Sequence, residues 1–141
     1  MPLKFRLLTE DAIAPTRKHS GDAGLDVYSN ENIIIEPGDQ TVVRTGVALA
    51  DAPNNVVIQV WPKSGLDTQY GITTGAGVID RGYRGEIYIL IRNLGKKRYI
   101  IRKGNQIAQL LVVVIERPLV VVADRGTGTE RGATGGIVFQ R

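Results

Sequence analysis

Gly71-Ile72-Thr73-Thr74-Gly75-Ala76-Gly77-Val78-Ile79-Asp80-Arg81-Gly82-Tyr83-Arg84-Gly85-Glu86-Ile87 interleaves glycines with β-branched residues. Glycine admits positive φ and lets other groups come close to the backbone. The run continues as Glu86-Ile87-Tyr88-Ile89-Leu90-Ile91-Arg92-Asn93, a series of strand formers. Two strand arms joined by a tight turn at Asp80-Arg81-Gly82-Tyr83 are predicted. That turn sets one carboxylate and one aromatic ring beside accessible glycine backbone. Backbone amides there suit a flat heterocycle, the Tyr83 ring suits a sugar, and the Asp80 carboxylate suits a water. Taken alone, the same residues also describe an ordinary hairpin with a solvated Asp at its turn.

The flanking sequence consists of further short extended segments. Leu3-Lys4-Phe5-Arg6-Leu7 alternates apolar and basic residues, as a half-exposed strand does. A polar loop through Pro15 to Gly21 leads into a strand within Asp22 to Ser29, with Leu25 and Val27 on one face and Asp26 and Tyr28 on the other. Ile33-Ile34-Ile35 reads as a buried strand stopped by the Pro37-Gly38 turn. Extended structure resumes from Thr41 to Leu49, and Pro53-Asn54-Asn55 turns into Val56-Val57-Ile58-Gln59-Val60-Trp61, the strongest strand of the first half. Ser64, with Asp67 three residues on, resembles a helix start, so the segment to Tyr70 suits a short helix. Lys103-Gly104 is a further turn, and the β-branched residues between Ile107 and Ile115 favour strand over helix. Many short strands with regular Gly/Pro turns predict an all-β fold, a distorted jelly-roll β-barrel with at most one short helix. No repeat, linker or second domain is evident. A single domain over 1–141 is expected, with 124–141, rich in Gly, Thr and Arg, as a flexible C-terminal arm.

Composition narrows the chemistry. A chain of 141 residues buries roughly 68–70% of its unfolded surface, enough for a core without staples. There is no Cys, which excludes disulfides and cysteine-ligated metal. The one His, His19, lies in a polar loop and is a poor basis for a zinc site or a Ser-His-Asp triad. The longest apolar run, Leu110 to Val122, is broken by Glu116-Arg117-Pro118 and falls short of the ~20 residues of a membrane helix. No signal-peptide core follows Met1, so a soluble intracellular protein is expected, cytoplasmic, or nuclear in a eukaryotic or viral setting. A net charge of +4 and a pI near 9.6 favour polyanions, either nucleic acid or a nucleoside triphosphate. The cations are scattered with few aromatics among them, so no stable nucleic-acid partner is expected.

Three more segments suit a nucleotide. Lys63-Ser64-Gly65 combines a cation, a hydroxyl and an accessible N–H at a possible helix start. It is not a P-loop, because the upstream glycine of G-x-x-x-x-G-K-[ST] is missing. Gly104-Asn105-Gln106-Ile107-Ala108-Gln109 offers amides to phosphate oxygens, and tail glycines with Arg125 and Arg131 could fold over a triphosphate. Each segment taken singly is more often a plain turn or strand end.

In order along the chain, Ala23-Gly24-Leu25-Asp26-Val27-Tyr28-Ser29, Pro62-Lys63-Ser64-Gly65-Leu66, Gly75-Ala76-Gly77-Val78-Ile79-Asp80 with Tyr83-Arg84-Gly85-Glu86, Gly104 with Ile107-Ala108-Gln109-Leu110, and Arg131-Gly132 form a pattern. It resembles the trimeric dUTPase family, the deoxyuridine triphosphate nucleotidohydrolases, across nearly the whole chain. The resemblance implies a homotrimer of jelly-roll subunits with three active sites at the subunit interfaces. The implied reaction is hydrolysis of dUTP to dUMP and pyrophosphate with Mg2+, which keeps uracil out of DNA and supplies dUMP for thymidylate synthesis. It further implies that Asp80 positions and deprotonates the attacking water, and that Tyr83 packs under the deoxyribose and leaves no room for a 2′-hydroxyl. Gly75, Ala76 and Gly77, with Val78 and Ile79, would bind uracil. Asp26 would hold the metal shell through water. Lys63, Ser64, Gly65 and Gln109 would contact phosphates, and a tail arginine, in Arg131-Gly132, would close over the γ-phosphate.

The chain departs from the family pattern in three places. Lys63 stands where the family usually has Arg, keeping the charge and losing the bidentate fork. Thr74 stands where many members carry Asn or Val. The family's last motif, roughly R-G-x-x-G-aromatic-G-[ST]-T-G, aligns in two ways. Starting it at Arg131-Gly132 places Gly136 at the aromatic position; ending it at Gly132-Ala133-Thr134-Gly135 makes Arg125 the arginine and puts Arg131 in place of the ring. A non-catalytic or weakly active nucleotide-binding trimer is therefore the alternative. The related dCTP deaminases share an I-D-x-G-aromatic-x-G turn, yet they need a glutamate ten residues after that Asp. Leu90 occupies the position here and cannot move protons.

Overall fold

A computed structural model describes residues 2–124. The expected C-terminal arm beyond Asp124, with Arg125, Arg131 and Gly132, lies outside the described residues. Ten strands and one helix follow in order: β1 (Lys4–Leu7), β2 (Leu25–Tyr28), β3 (Ile33–Ile35), β4 (Gln40–Asp51), β5 (Val56–Trp61), α1 (Ser64–Tyr70), β6 (Ile72–Gly75), β7 (Val78–Asp80), β8 (Glu86–Asn93), β9 (Tyr99–Ile101) and β10 (Gln106–Val114). They form two four-stranded sheets, β1-β4-β8-β6 and β2-β10-β5-β7, and a ribbon of β3 with β9. Every pairing is antiparallel. This is the jelly roll read from the sequence, with a single short helix among the described residues. Among the described residues no helix is long and apolar enough to cross a membrane.

The core lies between the two larger sheets. β8 shows the underlying period of two most clearly. Ile87, Ile89, Ile91 and Asn93 point inward and are fully buried, while Tyr88 and Arg92 point out. β5 and β10 supply Ile58, Ile107, Ala108 and Leu110 from the facing sheet. Asn93 is the polar exception. Its side-chain amide donates to the carbonyls of Ile35 and Lys97, and its oxygen accepts the Gly95 N–H. Those bonds offset the cost of burying an amide.

The long strand β4 serves two neighbours. Its first half pairs with β8 and its second half with β1, and the register slips between Arg44 and Ala48. Gly46 takes φ 70° at this bulge, a left-handed value that glycine adopts at little cost. Side chains satisfy the interrupted ladder. The Thr45 hydroxyl donates to the Ile87 carbonyl (2.6 Å), and the Gly46 N–H donates to Glu86 Oε2 (3.2 Å). Arg44 grips the same carboxylate with Nε (3.3 Å) and Nη2 (2.9 Å).

Two expectations are corrected. The strands either side of Asp80–Tyr83 are not partners in a hairpin: β7 pairs with β5, and β8 pairs with β4 and β6. The turn is a corner between two sheets, a long-range pairing that local sequence does not specify. Ile33–Ile35 is not buried throughout, because the ribbon packs one face on the core and turns Ile34, opposite Ile100, to the outside. Asp26 faces away from Leu25 and Val27, as alternation predicts, standing opposite Gln109 while they stand opposite the core residues Leu110 and Ala108, yet it is buried there beneath Lys63.

The Arg44 guanidinium beside Glu86, with the Gly46 N–H, holds the Glu86 carboxyl below its ordinary value of 4.5. A lowered folded-state value stabilises the fold above the ordinary value, and that contribution is lost as pH falls through the lower one. Glu86→Gln should therefore lose stability at pH 7 and show a smaller further drop on acidification to pH 3 than the unmodified chain. Urea denaturation at both pH values measures the two gaps.

Candidate functional site

The expected site residues fall into two groups. The first surrounds a cavity of about 200 Å³ lined by Ala76, Val78, Ile79, Asp80, Tyr83, Ile87 and Tyr88. Ala76 links β6 to β7 at φ 49°, a left-handed conformation costing a residue with a Cβ roughly 1–2 kcal/mol. The following Gly77 sits against β5. Its carbonyl accepts the Val60 N–H at 2.8 Å, and a Cβ at Gly77 would stand 2.9 Å from the Val60 carbonyl oxygen. Asp80, the last residue of β7, is exposed. The Tyr83 N–H donates to the Asp80 carbonyl (3.0 Å), closing the turn. The Tyr83 hydroxyl donates to the Glu86 carbonyl (2.7 Å), which lays the ring over Gly85, where a Cβ would fall 2.7 Å from the hydroxyl oxygen. Carboxylate and ring thus stand on one wall, beside the bared backbone, as the turn predicted. Gly75 adjoins this group, backed by the Arg92 guanidinium.

The second group lines a cavity of about 240 Å³ formed by Lys18, Asp22, Ala23, Gly24, Asp26, Lys63 and Gln109. β2 carries Asp26, β10 carries Gln109 opposite it, and Lys63 follows β5. Lys63 Nζ donates to Asp26 Oδ1 at 2.5 Å, with side-chain exposures of 30% and 9%. The Gln109 amide donates to the Pro62 carbonyl (3.0 Å), which fixes the loop from which Lys63 springs. Ser64 opens α1 without capping it; Lys63 is the capping residue and makes no side-chain bond to the helix. A Cβ at Gly65 would meet nothing within 4 Å, so its backbone is open to a ligand.

The two groups stand at opposite edges of one sheet. Asp80 on β7 faces Val57, whereas Asp26 on β2 faces Gln109, which faces Trp61. Three strand spacings and four residues along β5 separate them, about 14 Å across and about 13 Å along the sheet. Asp80 and Tyr83 therefore share no cavity with Asp26 and Lys63 within one chain.

No trio of His, Cys, Asp or Glu among the described residues could cage a metal. The second cavity offers two carboxylates, Asp22 and Asp26, with the Gln109 amide. That set suits Mg2+, which keeps several waters and takes one or two carboxylates together with substrate phosphates. Sequence reasoning did not single out Asp22, Lys18 or Tyr88. Tyr88 was legible as an outward position of β8; the other two lie in a loop whose path no periodicity reveals.

Removing the cation should strand the Asp26 carboxylate. Because Lys63 is partly solvated, Lys63→Met should cost about 1–3 kcal/mol, less than the loss of a partner from a fully buried pair. Adding Asp26→Leu should recover part of that loss, measured as the coupling in a double-variant cycle of urea denaturation.

Comparisons with known proteins point to one family. The dUTPase family model matches residues 10–136. A deoxyuridine 5'-triphosphate nucleotidohydrolase of Clostridium kluyveri is 41% identical over 137 residues, covering 96% of this chain and 95% of its own. The mitochondrial human enzyme of the same name is 39% identical over 135 residues, covering 96% of this chain and 53% of the longer human one. Among solved structures, the dUTPase of Staphylococcus bacteriophage 80alpha with dUpNHpp superposes with a TM-score of 0.83 at 30% identity, covering 95% of each chain. A dUTPase of phage phi11 of S. aureus, solved for its coordination of a structural Mg(II) ion, gives 0.81 at 29% identity over 90% of this chain and 100% of its own. Ordered motifs, jelly-roll topology and relatives that match nearly the whole of this chain agree, and the chain belongs to the dUTPase family.

Proposed function

We propose that this protein hydrolyses dUTP to dUMP and pyrophosphate, at sites completed between subunits of a homotrimer. The observation that carries the reading is the corner at Asp80–Tyr83, where a carboxylate and a sugar-sized ring flank exposed backbone in one cavity. Asp80 accepts a proton from a water aligned behind the α-phosphorus. The new bond forms from that water's oxygen to phosphorus, and the bond from phosphorus to the bridging oxygen breaks, releasing pyrophosphate. A positioned base contributes ~10²–10⁴-fold to such a step. Lys63, the Ser64 hydroxyl, the open Gly65 backbone and Gln109 bind the phosphates, and Arg131, beside Gly132, is the preferred tail residue for the γ-phosphate. Asp26 would hold Mg2+ through water, and the ion would there supply charge neutralisation to the triphosphate and orientation to the leaving group.

Selectivity follows from the same wall. Backbone groups around Gly75, Ala76 and Gly77 pair with uracil and would be left unpaired against the amine of cytosine, a mismatch that can reach ~10⁴–10⁵-fold. A closed mould excludes the methyl of thymine by overlap. The Tyr83 ring, held by its hydroxyl to Glu86, occupies the space a 2′-hydroxyl would need.

Assembly is supported by two features of the isolated chain. A base and a metal-holding carboxylate must approach the same triphosphate, and within one chain Asp80 and Asp26 are too far apart to do so. Apolar side chains are also left uncovered: Val42 and Tyr88 on the outer face of the first sheet, and Leu119 to Val122, which are 83–94% exposed in an extended segment after β10. A run of that kind calls for a partner surface.

Asp80→Asn should reduce turnover by about two orders of magnitude or more while dUTP still binds; pyrophosphate release and calorimetric binding measure the two. Hydrolysis at the unmodified rate would sink the assignment of the base.

Chains carrying Asp80→Asn and Asp26→Asn, each inactive alone, should regain about one quarter of the unmodified activity when unfolded together and reassembled in equal amounts, because random threefold assembly pairs an intact Asp80 with an intact neighbouring Asp26 in that share of interfaces. Sites contained within one subunit would give no recovery.

A further inference from the structure

We infer that Arg81 is a positioning residue, whose guanidinium ties the Asp80–Tyr83 corner to the end of β4 and so sets where the carboxylate and the ring stand. The inference rests on the dUTP hydrolysis proposed above and adds a residue to it.

The corner has little of its own to hold it. β7 is three residues long and sits at the edge of its sheet, paired only with β5. β8 begins at Glu86 in the other sheet, so residues 81–85 cross between sheets without belonging to a ladder. Two of those five are glycines, which raise the entropy lost on ordering. A Cβ at Gly82 would meet nothing within 4 Å, so no packing grips the corner there.

Arg81 supplies the missing anchor. Its Nε donates to the Pro53 carbonyl (3.0 Å) and its Nη2 to the Ala52 carbonyl (2.7 Å). Both acceptors lie in the connection between β4 and β5, and Ala52 is fully buried. The connection is itself fixed, since the Ala52 N–H donates to Asp51 Oδ1 at 2.9 Å. Asp51 adds a charge 3.9 Å from Nη2, long enough that the two carbonyl bonds dominate. On the corner's other side, Arg84 Nη1 donates to the Arg81 carbonyl at 2.6 Å. Side chain and main chain of residue 81 are thus both tied down, one residue from Asp80 and two from Tyr83.

The Arg81 side chain does not line the cavity shared by Asp80 and Tyr83. Its effect on the reaction passes through the position of the corner. A planar fork meets two carbonyls at once, which a lysine ammonium on a flexible stem reproduces only in part. Misplacement on the scale of 1 Å is enough to cost about a hundredfold in rate.

Arg81→Met and Arg81→Lys, assayed on dUTP and UTP beside the unmodified protein, test the role. Arg81→Met should lower kcat on dUTP by about tenfold to a hundredfold, leave KM nearly unchanged, and erode the preference for dUTP over UTP as the ring drifts with the carboxylate. Arg81→Lys should fall between, at an unchanged Tm. Unaltered kcat and selectivity in Arg81→Met would overturn the inference, as would a loss equal for both substrates that tracks a fall in Tm. Should Arg81→Met not fold, Arg81→Lys decides: reduced selectivity at unchanged Tm supports the role, and unmodified behaviour overturns it. An unmodified protein inert toward dUTP would instead refute the proposed reaction.

Discussion

Glu86 is where the fold and the site meet. Its side chain is only 7% exposed, yet it carries a charge, and the burial is tolerable because Arg44 and the Gly46 N–H saturate the carboxylate. Those bonds hold the bulge that lets β4 leave β8 and turn to β1. The Glu86 backbone carbonyl, one residue beyond the corner, takes the Tyr83 hydroxyl. One residue therefore joins a bend in the longest strand to the ring beside the candidate base. The bulge cannot move without moving Glu86, and Glu86 cannot move without carrying the ring.

This connection explains why a chemically exposed corner can still be well placed. Asp80 and Tyr83 need access to a ligand, so the core cannot pack over them. Their position is borrowed from buried neighbours: Ile79 and Ile87 on either side of the corner, Val60 behind Gly77, and the Ala52 carbonyl beneath Arg81. The residues of the second cavity are held differently. Asp26 is buried and Lys63 pairs with it, so the second cavity is organised by charge pairing, with Gln109 fastening the loop. Each half is rigid for its own reason, and the sheet between them keeps the halves of one chain apart.

The parts of the fold that local sequence specifies were legible. Val56–Trp61 is a strand with the expected bounds, and Ser64–Tyr70 is the one helix among the described residues. The partners of β7 and β8 were not, because both flank a glycine-containing turn and a hairpin satisfies the same local signals. Nor was the burial of Asp26. Alternation put it on the outer face, where it stands, but the cation that covers it there, Lys63, lies 37 residues away. The reading of Lys63 from sequence likewise did not include its pairing with Asp26. Proximity of distant residues is the information that a linear pattern lacks.

That pairing bears on the unusual lysine. An arginine at position 63 would bring a fork suited to two oxygens at once, whereas the ammonium is a compact charge on a flexible stem. A single oxygen of Asp26 satisfies it here, at 2.5 Å, and leaves Oδ2 without a bond to Lys63. Under the proposed reaction both partners would keep donors or acceptors for a triphosphate: the carboxylate its second oxygen, the ammonium its two remaining protons. The exchange of Arg for Lys is compatible with the site because the pair is end-on. Leu90 shows the opposite case. It stands on β8 opposite Gly75 and Val42, among groups that neither donate nor accept a side-chain proton. Deamination at this wall would lack the glutamate that the related deaminases carry at this position.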